Sequence, residues 1–379
     1  MQPTSRETAF TDLRRVVIKL GTRVVSDASG GMATMRLSAL AAPIAELVSR
    51  GVEVLLVSSG AVGLGAHTLD LALPIRSIAD RQAAAAVGQT QMMATYSEEF
   101  GAHGLGVGQV LVATGDFDDR TRYLNIRNTL LRLLRHGVLP IINENDAVSI
   151  AELKDLDVHT PVFGDNDKLS AILASKLGAD LLILLTDVSG LYDRNPMKHG
   201  DAHILHRVDE DWSGFETSEH KPGMSRGGMK TKVDAARIAV RSGCHAVIAS
   251  GLDPEALPAV LNGALEGTWF PAQEGLNARR RWIAWGTPAR GNLVLDAGAV
   301  NALRERGASL LAAGVQSVTG TFERGAVVEL TDTTGDVVGR GMISCDAEAA
   351  RAWVAGNPPA AARNHHALVH RDHLVLEPV

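Results

Sequence analysis

At 379 residues the chain is long enough for two domains, and its hydrophobic fraction of 45% is typical of a globular protein. The net charge of -6 gives no general attraction to nucleic acid or to anionic membranes. The two cysteines, Cys244 and Cys345, match no metal-binding spacing, and no apolar segment approaches the ~20 residues that span a bilayer. The N-terminus lacks the apolar core of a signal peptide, so we expect a cytoplasmic protein.

The first two thirds of the chain alternate short apolar segments with helical patterns. The apolar segments are 16–20, 52–57, 108–113, 138–142, 181–185 and 246–249, and the helical patterns include 36–49, 121–136, 168–177 and 231–242. Continuously apolar strands are typical of a parallel sheet that is covered on both faces. The sequence therefore predicts an α/β fold, a doubly wound, mainly parallel sheet sandwiched by helices, with ligands beyond the carboxyl ends of the strands.

The pattern changes after residue 266. Residues 267–287 contain glycine, proline and a basic cluster, and we interpret them as a linker. Beyond them, strand-like segments at 292–295, 317–322, 327–330, 337–342 and 370–376 surround helical patterns at 299–306 and 347–354. We therefore expect a main domain at 1–266 and a small, mostly β domain at 288–379.

A lysine lies near the end of the first predicted strand, in the segment VIKLGT at 17–22. A buried ammonium group is costly unless it meets an anion, and Gly21-Thr22 can bring backbone N–H groups to the same anion. Lys19 therefore either contacts a phosphate or keeps its amine in water at the edge of the sheet. Its immediate neighbours leave both interpretations open.

Polar clusters follow three further predicted strands. SSGAVG at 58–63 leads toward a helix and suits either an anion site or a simple tight turn. NEND at 143–146 offers amide and carboxylate groups that can bind an amino acid, and Thr186-Asp187 suits contacts with a nucleotide. GDND at 164–167 can cap the following helix, orient lysines or hold a metal-bound nucleotide.

A glycine-rich stretch, GMSRGGMKTK at 223–232, leads directly into a helix. It is not a P-loop, because Met229 separates Gly228 from Lys230. Its backbone donors can still cover phosphates. Lys232 lies in the first helical turn, where a cation opposes the helix dipole unless an anion lies beside it. We therefore interpret Lys232 as a second lysine that contacts phosphate.

Together and in this order, six motifs resemble the amino acid kinase family. They are VVIKLGT (16–22), VSSGAV (57–62), INENDAV (142–148), GDND (164–167), LLTDVSGLY (184–192) and GGMKTK (227–232). The resemblance covers nearly the whole chain, since the C-terminal part is similar to the PUA domain of many bacterial members that act on glutamate. It implies that ATP, with Mg²⁺, phosphorylates the side-chain carboxylate of L-glutamate to L-glutamyl 5-phosphate, the first step of proline biosynthesis.

The resemblance also implies roles for matched residues. Lys19 and Lys232 would stabilise charge on the transferring phosphoryl group, and Asp167 would hold both lysines in place. The residues that would bind glutamate are Ser59, Asp146 and Asn166. Those that would bind ATP are Lys19, Thr186, Asp187, Arg226, Gly227, Gly228, Met229, Lys230, Thr231 and Lys232. Feedback inhibition by proline and a homo-oligomer, either a tetramer or a dimer, are further expectations for the family.

The implied chemistry agrees with the absence of a Ser/His or Cys/His arrangement. The side-chain carboxylate of glutamate has a reference pKa of about 4.3, so it is ionised at neutral pH and needs no general base. Two features depart from the family pattern. Residues 153–163 form a longer link between motifs than is usual, and Arg226 stands where relatives carry a small residue.

Two other functions fit the sequence less well. Family members that act on acetylglutamate, aspartate or carbamate fit less well, because NEND is followed by GDND and by a PUA-like domain. An RNA-binding protein is the other alternative, since PUA domains often contact RNA. From residue 288 onward, however, eight arginines and no lysine stand against ten acidic residues, which disfavours nucleic acid as a partner.

Overall fold

The computed structural model describes residues 5–117, 119–148, 166–196, 198–209, 228–273, 283, 289–357 and 367–376. The chain forms two compact units, residues 1–275 and 276–379. In the described ranges, no helix is long and apolar enough to cross a membrane.

The first unit is built on a seven-stranded sheet. Its strands are β1 Arg15–Leu20, β2 Glu53–Ser58, β3 Val107–Val112, β4 Leu139–Glu144, β5 Leu181–Thr186, β6 His245–Ser250 and β7 Thr268–Phe270. Their order is β3-β4-β2-β1-β5-β6-β7; β1 to β6 are parallel and β7 is antiparallel to β6. The six predicted strands and the mainly parallel α/β class are confirmed. Strand β7 was not expected and lies within the segment interpreted as a linker.

Helices cover both faces of this sheet. They are α1 Arg6–Ala9, α2 Thr22–Val25, α3 Thr34–Ser49, α4 Ala61–Thr68, α5 Ile78–Gly101, α6 Arg120–Arg135, α7 Asn166–Leu177, α8 Met229–Arg241 and α9 Ala256–Leu261. One core contains side chains of α3, α4, α5 and α9, and the other contains side chains of α6, α7 and α8. Strand β3 is an exception to full coverage, because it lies at the edge of the sheet and only Val112 is buried.

Successive side chains of β1 point to opposite faces, as the two-residue period of a strand requires. Ile18 and Leu20 belong to the core with α3, whereas Val17 belongs to the core with α7 and α8. Lys19, two residues after Val17, therefore faces α7 and α8. The strand period thus determines which helices can meet this lysine.

Helices α4 and α5 pack with their backbones in direct contact. A Cβ atom at Gly65 would lie 1.7 Å from the carbonyl oxygen of Ala84, and one at Gly88 would lie 1.8 Å from that of Ala61. Only glycine permits so close an approach. The contact fixes α4, and with it the turn that follows β2.

The second unit contains a separate five-stranded sheet. Its strands are β8 Gly291–Leu295, β9 Val315–Gly320, β10 Val327–Thr331, β11 Val337–Ile343 and β12 Val369–Leu376, in the order β12-β11-β10-β8-β9. Helices α10 Ala297–Arg306 and α11 Ala347–Val354 contribute to its own apolar core. The predicted small, mostly β domain is confirmed.

Candidate active site

Two lysines and one aspartate meet at the carboxyl edge of the large sheet. Lys19 is near the end of β1, Asp167 is the second residue of α7, and Lys232 lies in the first turn of α8. The Nζ atom of Lys19 is 2.6 Å from Asp167 Oδ1, and that of Lys232 is 3.2 Å from Asp167 Oδ2. All three side chains are buried. The structure therefore brings together the three residues predicted to be catalytic.

The cluster carries one negative and two positive charges. Burial alone would raise the pKa of the Asp167 carboxyl, but the ammonium groups of Lys19 and Lys232 hold that pKa well below its usual range. The Thr231 hydroxyl lies 2.9 Å from Asp167 Oδ2 and adds a hydrogen bond. The carboxylate thus stays ionised, and among these three side chains the positive charges outnumber the negative charges by one. A buried cluster with excess positive charge suits an anionic ligand.

Beside this cluster, the side-chain amide of Asn166 donates hydrogen bonds to the turn after β2 and to the end of β4. Its Nδ2 atom lies 2.9 Å from Ser59 Oγ and 3.0 Å from Asn143 Oδ1. Asn166 Oδ1 is buried and has no hydrogen-bond partner within the part of the chain that the structure describes. The predicted residues Ser59 and Asn166 therefore do lie together.

The strand β4 ends later than the sequence suggested. Asn143 and Glu144 were placed in a polar cluster after the strand, but both are buried residues of β4 itself. Asn143 was not selected as a site residue, although its side chain orients Asn166. Asp146 is half-buried, two residues beyond the end of β4.

The end of β5 provides a third polar group. The Thr186 hydroxyl donates to Asp187 Oδ1 at 3.0 Å, and Arg23 Nη1 lies 2.6 Å from Asp187 Oδ2. Partial burial would raise the pKa of Asp187, but the hydrogen bonds from Arg23 and Thr186 lower it overall. Arg23 was not singled out from the sequence, because its contact depends on β1 lying beside β5.

The glycine-rich stretch is described only from Gly228 onward. Gly228 is the N-cap of α8; in its first turn Lys230 is exposed and Lys232 buried. Arg226, Gly227 and the long link at 153–163 lie outside the described residues.

The backbone N–H of Gly21, which was expected to reach an anion, has another partner. It donates to Leu185 O at 3.0 Å, so it is not available to an anion beside Lys19.

The described ranges contain no group of three His, Cys, Asp or Glu side chains that would hold a metal ion. Both oxygens of Asp167 are already engaged by lysines.

Known proteins resemble this chain along most of its length. Residues 14–250 match the model of the amino acid kinase family, and residues 291–357 match that of the PUA domain. Glutamate 5-kinase 1 of Rhizobium meliloti (strain 1021) is 42% identical over 385 residues, which cover 98% of this chain and 94% of the relative. Glutamate 5-kinase of Synechococcus sp. (strain JA-3-3Ab) is 44% identical over 346 residues, which cover 89% of this chain and 90% of the relative. Among solved structures, UMP kinase from Bacillus anthracis has a TM-score of 0.48 and 15% identity, covering 69% of this chain and 97% of that one.

Proposed function

This chain belongs to the amino acid kinase family and carries a PUA domain after the kinase domain, and from that premise we propose that it phosphorylates L-glutamate. ATP is the phosphoryl donor, the side-chain carboxylate is the acceptor, and L-glutamyl 5-phosphate is the product. This is the first step of proline biosynthesis. The observation that carries the proposal is the buried Lys19–Asp167–Lys232 cluster directly beside Asn166 and Ser59.

The cluster supplies charge stabilisation for an in-line transfer. The glutamate carboxylate is already an ionised nucleophile, so the protein must position it and stabilise the transferring phosphoryl group. Each ammonium group has three N–H donors, and Asp167 orients Lys19 and Lys232 from opposite oxygens. In this proposal both ammonium groups contact oxygens of the transferring phosphoryl group. Because Asp167 is locked between the lysines, its role is to position them and not to accept a proton.

The proposed glutamate site lies at the ends of β2 and β4. Asn166 Oδ1 has an unused lone pair within the described part of the site, which suits the α-ammonium group of the substrate. The Ser59 hydroxyl can donate to a carboxylate, and Asp146 provides a second acceptor for the ammonium. Asn143 holds the Asn166 amide in the required orientation.

The proposed nucleotide site extends from Lys19 to Thr186 and Asp187, and it includes the loop 226–232. Magnesium bound to the ATP phosphates would neutralise part of their charge when the nucleotide is present. The chain's own contribution is the backbone and lysine donors of that loop, together with the hydroxyl and carboxylate at the end of β5.

Other parts of the proposal rest on the family alone. They are a kinase domain at 1–266 and a PUA domain at 288–379, a cytoplasmic location, a homo-oligomer (tetramer or dimer), and inhibition by proline. We assign no nucleic-acid partner to the PUA domain, because its acidic residues outnumber its basic ones.

ADP release by the purified protein tests the function. The assay contains ATP and Mg²⁺ and compares glutamate with aspartate, acetylglutamate, and bicarbonate plus ammonia. We expect turnover with glutamate and none with the other three acceptors. We expect Lys232→Ala to lower kcat by about 10²–10³, because a donor to the transition state is lost. The exposed Lys198→Ala variant is the control and should match the wild type. Turnover that does not depend on glutamate would overturn the assignment.

A further inference from the structure

One guanidinium at the carboxyl edge of the sheet has no part in the function described so far. Arg23 is the second residue of α2 and lies four residues after Lys19. Its Nη1 atom contacts Asp187 Oδ2 at 2.6 Å, and 55% of its side chain is exposed. A guanidinium has five N–H donors, so one carboxylate oxygen leaves most of them accessible to a ligand.

The backbone that carries Arg23 is held from three sides. The N–H of Gly21 donates to a carbonyl of β5 at 3.0 Å. Val24 packs so closely on the turn after β6 that a Cβ atom at Gly251 would lie 2.5 Å from Val24 Cγ2. Arg36 Nη1 donates to the carbonyls of Arg23 and Val24 at 2.8 and 2.9 Å. The fold therefore fixes the base of the Arg23 side chain before a ligand binds, which lowers the entropic cost of a contact.

The position of Arg23 lies between the two ends of the proposed nucleotide site. Strands β1 and β5 are neighbours, and Lys19 is paired with Leu184, two residues before Thr186. The Arg23–Asp187 contact spans the carboxyl ends of these two strands. A nucleotide bound at Thr186-Asp187 would therefore lie within reach of this guanidinium.

We propose that Arg23 binds the phosphates of the nucleotide and that Asp187 orients the guanidinium for this contact. The proposal rests on ATP being the phosphoryl donor in the proposed function. A planar guanidinium can bind two phosphate oxygens at once through two N–H donors. Its ion pair with one carboxylate oxygen leaves enough donors for such a contact. Exposed ion pairs contribute little to the free energy of unfolding, so fold stability alone gives little reason for the arrangement.

Nucleotide affinities measured without glutamate test this inference. Titration calorimetry with Mg²⁺ gives dissociation constants for ATP and ADP, and competition with ATP gives that for adenosine. We expect Arg23→Gln to weaken ATP binding about tenfold, the loss of one charged hydrogen-bonded contact, and to leave adenosine binding unchanged. Arg23→Lys should retain part of the ATP affinity. Arg14→Gln is the matched control, since Arg14 pairs with Asp180 at 3.4 Å at the opposite end of β1.

Thermal unfolding of each variant verifies that it is folded. ATP affinity within about twofold of the wild type in Arg23→Gln would overturn the inference. An equal loss for ATP and adenosine would also overturn it, because Arg23 would then act only by positioning Asp187. A protein that binds ATP but does not phosphorylate glutamate would refute the proposed function and leave the role of Arg23 intact. A protein that binds no ATP would refute both.

Discussion

The substitution Asp167→Asn would remove the negative charge of a carboxylate that contacts two buried lysines. In the wild type the carboxylate lies 2.6 Å from Lys19 Nζ and 3.2 Å from Lys232 Nζ, and both lysines are about 5% exposed. Removing one partner of a buried ion pair leaves an uncompensated charge and costs about 3–5 kcal/mol. Here two ammonium groups lose their partner. We therefore expect the free energy of unfolding without ligand to fall by at least about 3 kcal/mol.

A nucleotide should restore much of this loss, because its phosphates supply the missing negative charge. Chemical unfolding of both proteins, with and without ATP and Mg²⁺, measures the effect. A ligand at 100 times its dissociation constant stabilises a protein by about 2.7 kcal/mol. Because the phosphates replace the lost negative charge, the variant should bind ATP more tightly than the wild type. Its free energy of unfolding should therefore rise more at the same ATP concentration. The control is Asp209→Asn, which breaks an exposed ion pair with Arg207 and should cost no more than about 1 kcal/mol. If Asp167→Asn without ATP were as stable as the wild type, the two lysines would not depend on this carboxylate.

Two further substitutions test the fold. Gly65→Ala would place a methyl group 1.7 Å from the carbonyl oxygen of Ala84, so we expect a loss of about 3 kcal/mol in thermal or chemical unfolding. Gly63→Ala in the same helix meets nothing within 4 Å and should be neutral or stabilising; equal losses would refute the close helix contact. Burial lowers the pKa of His245 from 6.5 to about 4, so the unfolded chain takes up a proton at a higher pH than the folded chain. The free energy of unfolding should therefore fall by roughly 2 kcal/mol from pH 6.5 to 4, allowing for partial solvation of the ring. An identical pH dependence in His245→Asn would exclude this cause.

The buried strands were predictable because each is a continuous apolar segment. Strand β7 was missed, since its three residues, Thr268 to Phe270, are too few to give a pattern. Helix α5 was missed for another reason. Its buried face includes Met92, Tyr96 and Phe100, but the half that meets α4 consists of small residues such as Ala84, Ala85 and Gly88. Its packing depends on the small size of these residues, which a hydrophobicity pattern does not report.

The residues of the candidate site could be proposed from the sequence, but most of their contacts could not. Lys19 and Asp167 are far apart in the sequence, and no local spacing indicates that they meet. The ordered motifs identified them by resemblance, and the structure then showed how the period of β1 turns Lys19 toward α7. The Arg23–Asp187 contact and the support of Asn166 by Asn143 were not predictable, because both require the order of the strands in the sheet.

The direct contact between α4 and α5 has a consequence for motion near Ser59. Where two helices touch through their backbones, no side chain between them can change rotamer and let one slide on the other. The Tyr96 hydroxyl of α5 also lies 2.7 Å from Ser58 Oγ, so the long helix is joined to the last residue of β2 as well. We therefore expect the two helices and the end of β2 to move together. The distance from Ser59 to Asn166 should then withstand substitutions on the exposed faces of both helices and change only when their glycine contact is opened.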